Sequence, residues 1–420
     1  MNRADDQNGG QQGEHDDKDE RPVVGLGKVL GYFLRLGTTG FGGPIATVGY
    51  MQRDLVERRK WMDRKDFLDG VALGQTMPGP LAAQVAMWVG YLRRGPAGAL
   101  AVAVAFIAPS FVIVVAVGAL YVRYSGLAAV QALFYAIAPA VMAIITIAAV
   151  KLLRLTNRRD PRLWAVSVVV FAVTAATGSE PALLIIAAGL LLIALDARPQ
   201  IRWPRRRTRP APRPESRDSG QANRREPPPA AVRSLPMLLP SALGAAAGGG
   251  VLVALGLFFA KTGAFVFGSG LAIVPFLREG VVDQHHWLTP AQFLDAVAMG
   301  LITPGPVVIT AGFIGYLVAG LPGAVVATVG IFTPIYLGVV IPGRWFLRHR
   351  DNPQVKAFVA GATAAAAGAL AGAVVVLTRQ AVTDWTTAAI GLVTLALLWR
   401  FKISEPIVVI AAGGLGLLIH

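Results

Sequence analysis

Cysteine is absent from all 420 residues, which excludes disulfides, thiolate metal sites and cysteine nucleophiles. Charge is scarce as well: 15% of residues are charged, against about 25% in a typical soluble domain. What charge there is leans one way, with 39 Lys and Arg against 24 Asp and Glu, a net charge of +15. No phosphate-binding GxxxxGK[ST], HExxH or GxSxG pattern occurs, so neither nucleotide-driven chemistry nor a familiar hydrolase has support. The N-terminus lacks a basic region followed by an apolar one; it is acidic and polar through Glu20. Residues 1–22 therefore read as a disordered cytoplasmic tail rather than a cleavable signal peptide.

What is present is apolar. Hydrophobic residues make up 54% of the chain, with a mean hydropathy of +0.56. Nine stretches, from Ala97–Leu120 to Ile403–Ile419, approach the length that crosses a hydrocarbon core of about 30 Å. The composition is that of a multi-pass membrane protein. Between Arg198 and Arg233, 11 arginines face only Glu215, Asp218 and Glu226 in a proline-rich setting. That basic stretch suits a disordered cytoplasmic connector held against anionic lipid. Its lack of aromatic interleaving beyond Trp203 and its place beside membrane spans argue against nucleic acid.

The chain repeats itself. Residues Phe33–Pro80 slide onto Phe259–Pro306 without a gap at a constant offset of 226, and 17 of the 48 pairs are identical. The identities include Gly37/Gly263, Phe41/Phe267, Trp61/Trp287, Asp69/Asp295 and the whole of Pro78-Gly79-Pro80 on Pro304-Gly305-Pro306. Two membrane halves follow, residues 23–197 and 236–420, joined by the linker 198–235. Their loop charges are opposed. Gln52–Lys65, Arg93-Arg94 and Lys151–Arg162 are basic, whereas their counterparts Arg278–Thr289, Val318-Ala319 and Thr378–Asp384 are close to neutral. Basic loops stay inside, so the halves read as inverted repeats, an architecture of many secondary transporters. Because Gln52–Lys65 and Arg93-Arg94 both belong inside, the apolar stretch between them must cross an even number of times. "TMPGP" breaks it near its middle. The expectation is a re-entrant hairpin of two half-helices, repeated around "TPGP", with Gly25–Tyr50 and Phe259–Leu277 re-entrant too. The fold class is thus an all-α polytopic membrane protein of two inverted-topology repeats with broken, re-entrant helices, nine segments crossing fully.

Irregular backbone at membrane depth is tolerated where it is buried in protein or lines a wet cavity. Four breaks occur in two symmetric pairs: Gly40–Pro44 with Gly268–Gly270, and Thr76–Pro80 with Thr303–Pro306. Each exposes N–H groups at a new half-helix N-terminus, which together with the helix dipole bind anions. Gly42, Gly43, Pro44, Pro78, Gly79, Gly268, Pro304 and Gly305 shape these breaks, and Thr38, Thr39, Gln75, Thr76, Ser269 and Thr303 add polar groups beside them. Arg35 and Lys261 are symmetric cations in apolar runs, each six residues before a Phe-Gly pair. A charge there faces a cavity or partner, or snorkels to the interface. Facing a shared cavity, the two would suit a dianionic tetrahedral substrate. Asp69 and Asp295 read either as proton or ion-pair carriers or as dipole-stabilising caps in the first turn of a helix. Neighbouring residues on a helix do not share a face, so His285-His286 make no metal site. The reading requires no cofactor and no catalytic residue, and it is compatible with a homo-oligomer. A membrane scaffold that transports nothing is the alternative of another class, but it gains nothing from symmetric cations and breaks.

The motifs "FGGP" at Phe41–Pro44, "GQTMPGP" at Gly74–Pro80 and "GLITPGP" at Gly300–Pro306 resemble those of the chromate ion transporter family. The resemblance covers the chain apart from the acidic tail and the basic linker. It implies an inner-membrane carrier of the long, two-half type that expels chromate and confers resistance to it, with sulfate as a chemically similar oxyanion. Gly268-Ser269-Gly270 departs from the Gly-Gly-Pro of the first half, which points to functional asymmetry between the halves.

Overall fold

The computed structural model describes residues 24–41, 43–124, 126–178, 182–196, 246–266, 270–343, 352–401 and 403–419. The acidic tail, the basic linker, Gly42, Gly268 and Ser269 lie outside the described residues. Fourteen α-helices run in chain order among them, and no strand. In the first half these are α1 (Leu26–Thr39), α2 (Gly43–Met51), α3 (Arg64–Thr76), α4 (Leu81–Tyr124), α5 (Ala128–Asn157), α6 (Pro161–Thr177) and α7 (Ala182–Asp196). In the second they are α8 (Ala246–Ala264), α9 (Val274–Arg278), α10 (Pro290–Ile302), α11 (Thr310–Val340), α12 (Pro353–Ala381), α13 (Trp385–Arg400) and α14 (Glu405–Ile419). Four helical stretches, α4, α5, Val307–Val340 and α12, are both long and apolar enough to cross a membrane; α6, α7, α13 and α14 are apolar but shorter, at 15 to 17 residues. The expectation of nine full crossings therefore meets fewer helices of full length among the described residues.

Both expected hairpins are present in each half. In α4 the helix reverses at Arg94 (φ −144°, ψ 30°) and Gly95 (φ 58°, ψ −146°), and α11 repeats this at Ala319 (φ −144°, ψ 29°) and Gly320 (φ 59°, ψ −150°). Positive φ with such ψ is open only to glycine. The turn folds Gly90 against Gly98, and Gly315 against Gly323, with no room for a side chain between the backbones. Arg93 and Arg94 thus sit at the tip where the first PGP hairpin returns to its own face, and the Arg93 guanidinium donates to the Trp61 carbonyl. α2 continues as a π-helical turn, Gln52–Arg58. It runs back along α1, because Trp61 packs edge-on against Tyr32 (6.3 Å). In the second half Trp287 packs on Phe258 (5.7 Å) after the matching π turn Glu279–Gln284.

The halves are inverted. Tyr121 near the end of α4 stacks edge-on with Phe313 near the start of α11, and Tyr336 near the end of α11 donates to the Pro96 carbonyl (3.1 Å). Gly118 abuts Tyr316 and Gly343 abuts Tyr91. The Gly118–Tyr316 and Gly343–Tyr91 contacts are images of each other at an offset of 225. The end of the returning arm of α11 (Tyr336) meets the start of the returning arm of α4 (Pro96), so these equivalent arms run antiparallel, as inverted repeats require. Each half clasps the other: α12 packs between α6 and α7, and α5 between α13 and α14. Glycines let these backbones close, with Gly368 on Ser167, Gly361 on Ala188 and Gly416 on Ala132, the small-residue packing of membrane helices. Tyr135 of α5 also donates to the Asp384 carboxylate (2.6 Å) in the loop capping α13. That hydroxyl and the Thr387 N–H hold the carboxyl at about 2, below its usual range.

Candidate functional site

The four breaks meet. The N–H of Gly79, in the first PGP loop, donates to the Val266 carbonyl (2.5 Å) at the broken end following α8. The N–H of Gly305, in the second PGP loop, donates to the Gly40 carbonyl (3.3 Å) at the broken end of α1. At the offset of 226 these bonds are each other's image. Each PGP loop therefore docks on the re-entrant tip of the opposite half. The arms returning from Pro80 and Pro306 aim their first-turn N–H groups and positive dipole ends at this junction.

Local sequence explains the shape. Gly79 has φ +140° and Gly305 φ +101°, conformations that side chains rarely tolerate. A Cβ on Gly305 would overlap the Ser110 hydroxyl, and one on Gly79 would crowd Gln84 and Ile335. Gly37 meets the Phe106 carbonyl and Gly263 the Ile331 carbonyl without room for a methyl, which seats α1 on α4 and α8 on α11 beside the junction.

Two polar residues at the junction lie outside the sequence-derived set. Gln84, fully buried, donates from Nε2 to the Pro78 (2.8 Å) and Met77 (3.3 Å) carbonyls, tying the first PGP loop to its returning arm. Its Oε1 is buried with no hydrogen-bond partner. Ser110, also fully buried, donates to the Pro304 carbonyl (2.6 Å) of the other half. Their counterparts by the repeat are Thr310 and Ile335. A polar residue in one copy whose image is apolar or smaller is the signal that could have found them.

Of the predicted residues, Gly43 and Pro44 begin α2, and Pro78, Gly79, Pro304 and Gly305 form the two PGP loops that the structure brings together. Thr76 is the last residue of α3 and Thr303 caps the C-terminus of α10, and their hydroxyls donate to the Ala72 and Met299 carbonyls (both 2.7 Å). Thr38 and Thr39 likewise bond back to Leu34 and Arg35. Arg35 and Lys261 occupy equivalent, exposed positions on α1 and α8. Arg35 shares its outer face with Lys28, Thr38 and Thr39, whereas Lys261 follows Val253 and Leu257. Neither side chain is enclosed with the other in a common cavity.

The cap reading of the two aspartates is replaced. α3 and α10 begin at Arg64 and Pro290, so Asp69 and Asp295 are the sixth residues of their helices, beyond the first turn. The N-cap of α10 is Thr289, in a reciprocal capping box with Gln292. Asp69 is buried, and Asp295 accepts a hydrogen bond from Tyr121 of the first half (2.7 Å). His285 stacks on Trp287 (4.2 Å), and among the described residues no group of three or more His, Asp or Glu side chains could hold a metal.

Antiparallel repeats in which each PGP loop docks on the broken tip of the opposite half have the architecture of inverted-repeat membrane transporters. The chromate transporter family model matches residues 27–193 and 253–417, one match per half, and the chain belongs to that family. It is 48% identical over 400 residues to a chromate transport protein of Cupriavidus metallidurans, covering 95% of this chain and 94% of that one. It is 45% identical to a probable chromate transport protein of Synechococcus elongatus (94% and 96% covered). Identity to a chromate transport protein of Pseudomonas aeruginosa is 27% (95% and 93% covered). No solved structure matches the chain.

Proposed function

We propose that this protein is a secondary active carrier that moves chromate outward across a bacterial cytoplasmic membrane and so confers chromate resistance. The observation that carries the reading is the reciprocal pair of hydrogen bonds joining the four helix breaks, in a chain nearly half identical to a chromate transport protein. Half-helix N-termini favour an anion without any redox step. An interior-negative potential favours outward movement of a dianion by about 2.3 kcal/mol per charge per 100 mV. Sulfate, of similar shape and charge, is the competing substrate. In this reading Asp69 and Asp295 serve proton or ion-pair exchange, and the basic linker meets anionic lipid.

In the same reading Arg35 and Lys261, exposed on α1 and α8 one turn before each re-entrant tip, act at longer range, attracting the oxyanion toward the junction. In vesicles, with flux normalised to protein in the membrane, Arg35→Gln and Lys261→Gln are expected to lower chromate transport by roughly tenfold or more. Arg35→Lys retains partial activity, since the charge survives while the planar fork that grips two oxygens is lost. Near-normal flux in both glutamine variants would assign these cations to the membrane interface instead.

A further inference from the structure

The two PGP hairpins are equal in backbone but not in surroundings. α10 is covered by α5 and α14, and Leu294 and Leu301 on its outer face are 3% and 5% exposed. The matching face of α3 is open: Leu68 is 47% exposed and Gln75 is exposed, with Ala72 half-buried between them. α12, the image of α5, meets α3 at only a few residues. Sequence follows the same divide. Lys65, Leu68, Ala72 and Gln75 line the open face, where the second half has Ala291, Leu294, Ala298 and Leu301. Lys65, at the basic-loop end of this face, and Gln75, beside the PGP loop, make it more polar than its image, where Ala291 and Leu301 stand. The closed hairpin carries a cross-repeat bond that fastens it, from the Tyr121 hydroxyl on α4 to the Asp295 carboxylate on α10. Tyr121 is packed there against Phe134 and Phe313.

We infer that this structure is the state open to the basic face, in which the outer side of α3 is the water-filled vestibule leading the oxyanion to the junction, and that Tyr121–Asp295 is the latch closing the opposite side. Release of the ion then requires α10 to part from α5 and α14, breaking the latch, while α3 becomes covered in turn. Gln75, at the inner end of the vestibule and directly before the first PGP loop, is the side-chain amide the ion meets before the junction. Tyr121 is a positioning residue: it sets the balance between the two states without touching the ion.

The inference rests on the carrier reading, but its test needs no substrate, so the two can fail separately. The chain has no cysteine, and Leu68→Cys, Gln75→Cys, Leu294→Cys and Leu301→Cys can each be introduced singly into the full protein in membranes. With a small hydrophilic thiol reagent, the two α3 positions are expected to react roughly tenfold faster or more than the two α10 positions. Adding Tyr121→Phe, which deletes the latch donor and keeps the ring, should raise the Leu301→Cys rate about fivefold and lower that of Gln75→Cys. Opposed changes mark a shifted equilibrium; a loosened fold would raise both. Equal rates at the two hairpins overturn the inference. So does a Tyr121→Phe background in which the Leu301→Cys rate stays the same or both rates rise together.

Discussion

Alanine in place of Gly305 is expected to reduce chromate flux about tenfold or more at unchanged membrane abundance. The loop needs φ +101° there, and the added methyl group would fall on the Ser110 hydroxyl, which bonds the Pro304 carbonyl. Either the loop changes conformation or Ser110 rotates away, and both outcomes pull the Gly305 N–H from the Gly40 carbonyl. Gly79→Ala should act in the same sense through Gln84 and Ile335. Gly414→Ala, at a helical glycine with nothing within 4 Å of its would-be Cβ, is the control and should transport normally. Flux per protein near that of the control in both loop variants would show that the junction's backbone geometry is dispensable.

The second large effect belongs to Gln84. Leucine at this site has similar bulk but no amide, and it leaves the part-buried Pro78 and Met77 carbonyls without their donor. An unsatisfied buried polar group costs about 1–3 kcal/mol, enough to let the first PGP loop leave its docked position. Transport by Gln84→Leu should fall about tenfold or more, and a cysteine at Thr76 in that background should become more reactive to hydrophilic thiol reagents. Gln84→Glu, a carboxylate that cannot donate to the two carbonyls when ionised, is expected to be at least as damaging. Retention of full activity by Gln84→Leu would place Gln84 outside the mechanism.

Much of this architecture was legible because the chain states it twice. The 226-residue offset, the opposed loop charges and the glycine-proline breaks together specify antiparallel halves with re-entrant hairpins, and the structure contains them down to matched dihedrals at Gly95 and Gly320. The meeting of each PGP loop with the other half's broken tip was not legible, since a linear repeat does not say which copy's tip faces which loop. Arg35 illustrates a second limit. Each helix residue turns the side chain by about 100°, so a cation's direction depends on where α4 packs, and the sequence carried no measure of that. Arg35 points away from the face where Phe33 and Gly37 seat on α4. Gln84, Ser110 and Tyr121 escaped notice for the opposite reason: they lie outside the strongest stretch of the repeat, single polar residues in apolar helices. For Asp295 the sequence left both an ion carrier and a first-turn cap open, because it does not fix where α10 begins. The capping box at Thr289 puts Asp295 a turn and a half into the helix.

Transport in this protein depends, in the proposed function, on passage of an oxyanion through the junction of the four breaks. Its most direct test is chromate flux through the purified protein in liposomes across which a potential is imposed. Chromate is expected to move toward the positive side, well above protein-free liposomes, slowed by sulfate and lost in Gly305→Ala. Flux through the folded wild-type protein no greater than that of empty liposomes, at any potential or proton gradient, would contradict it.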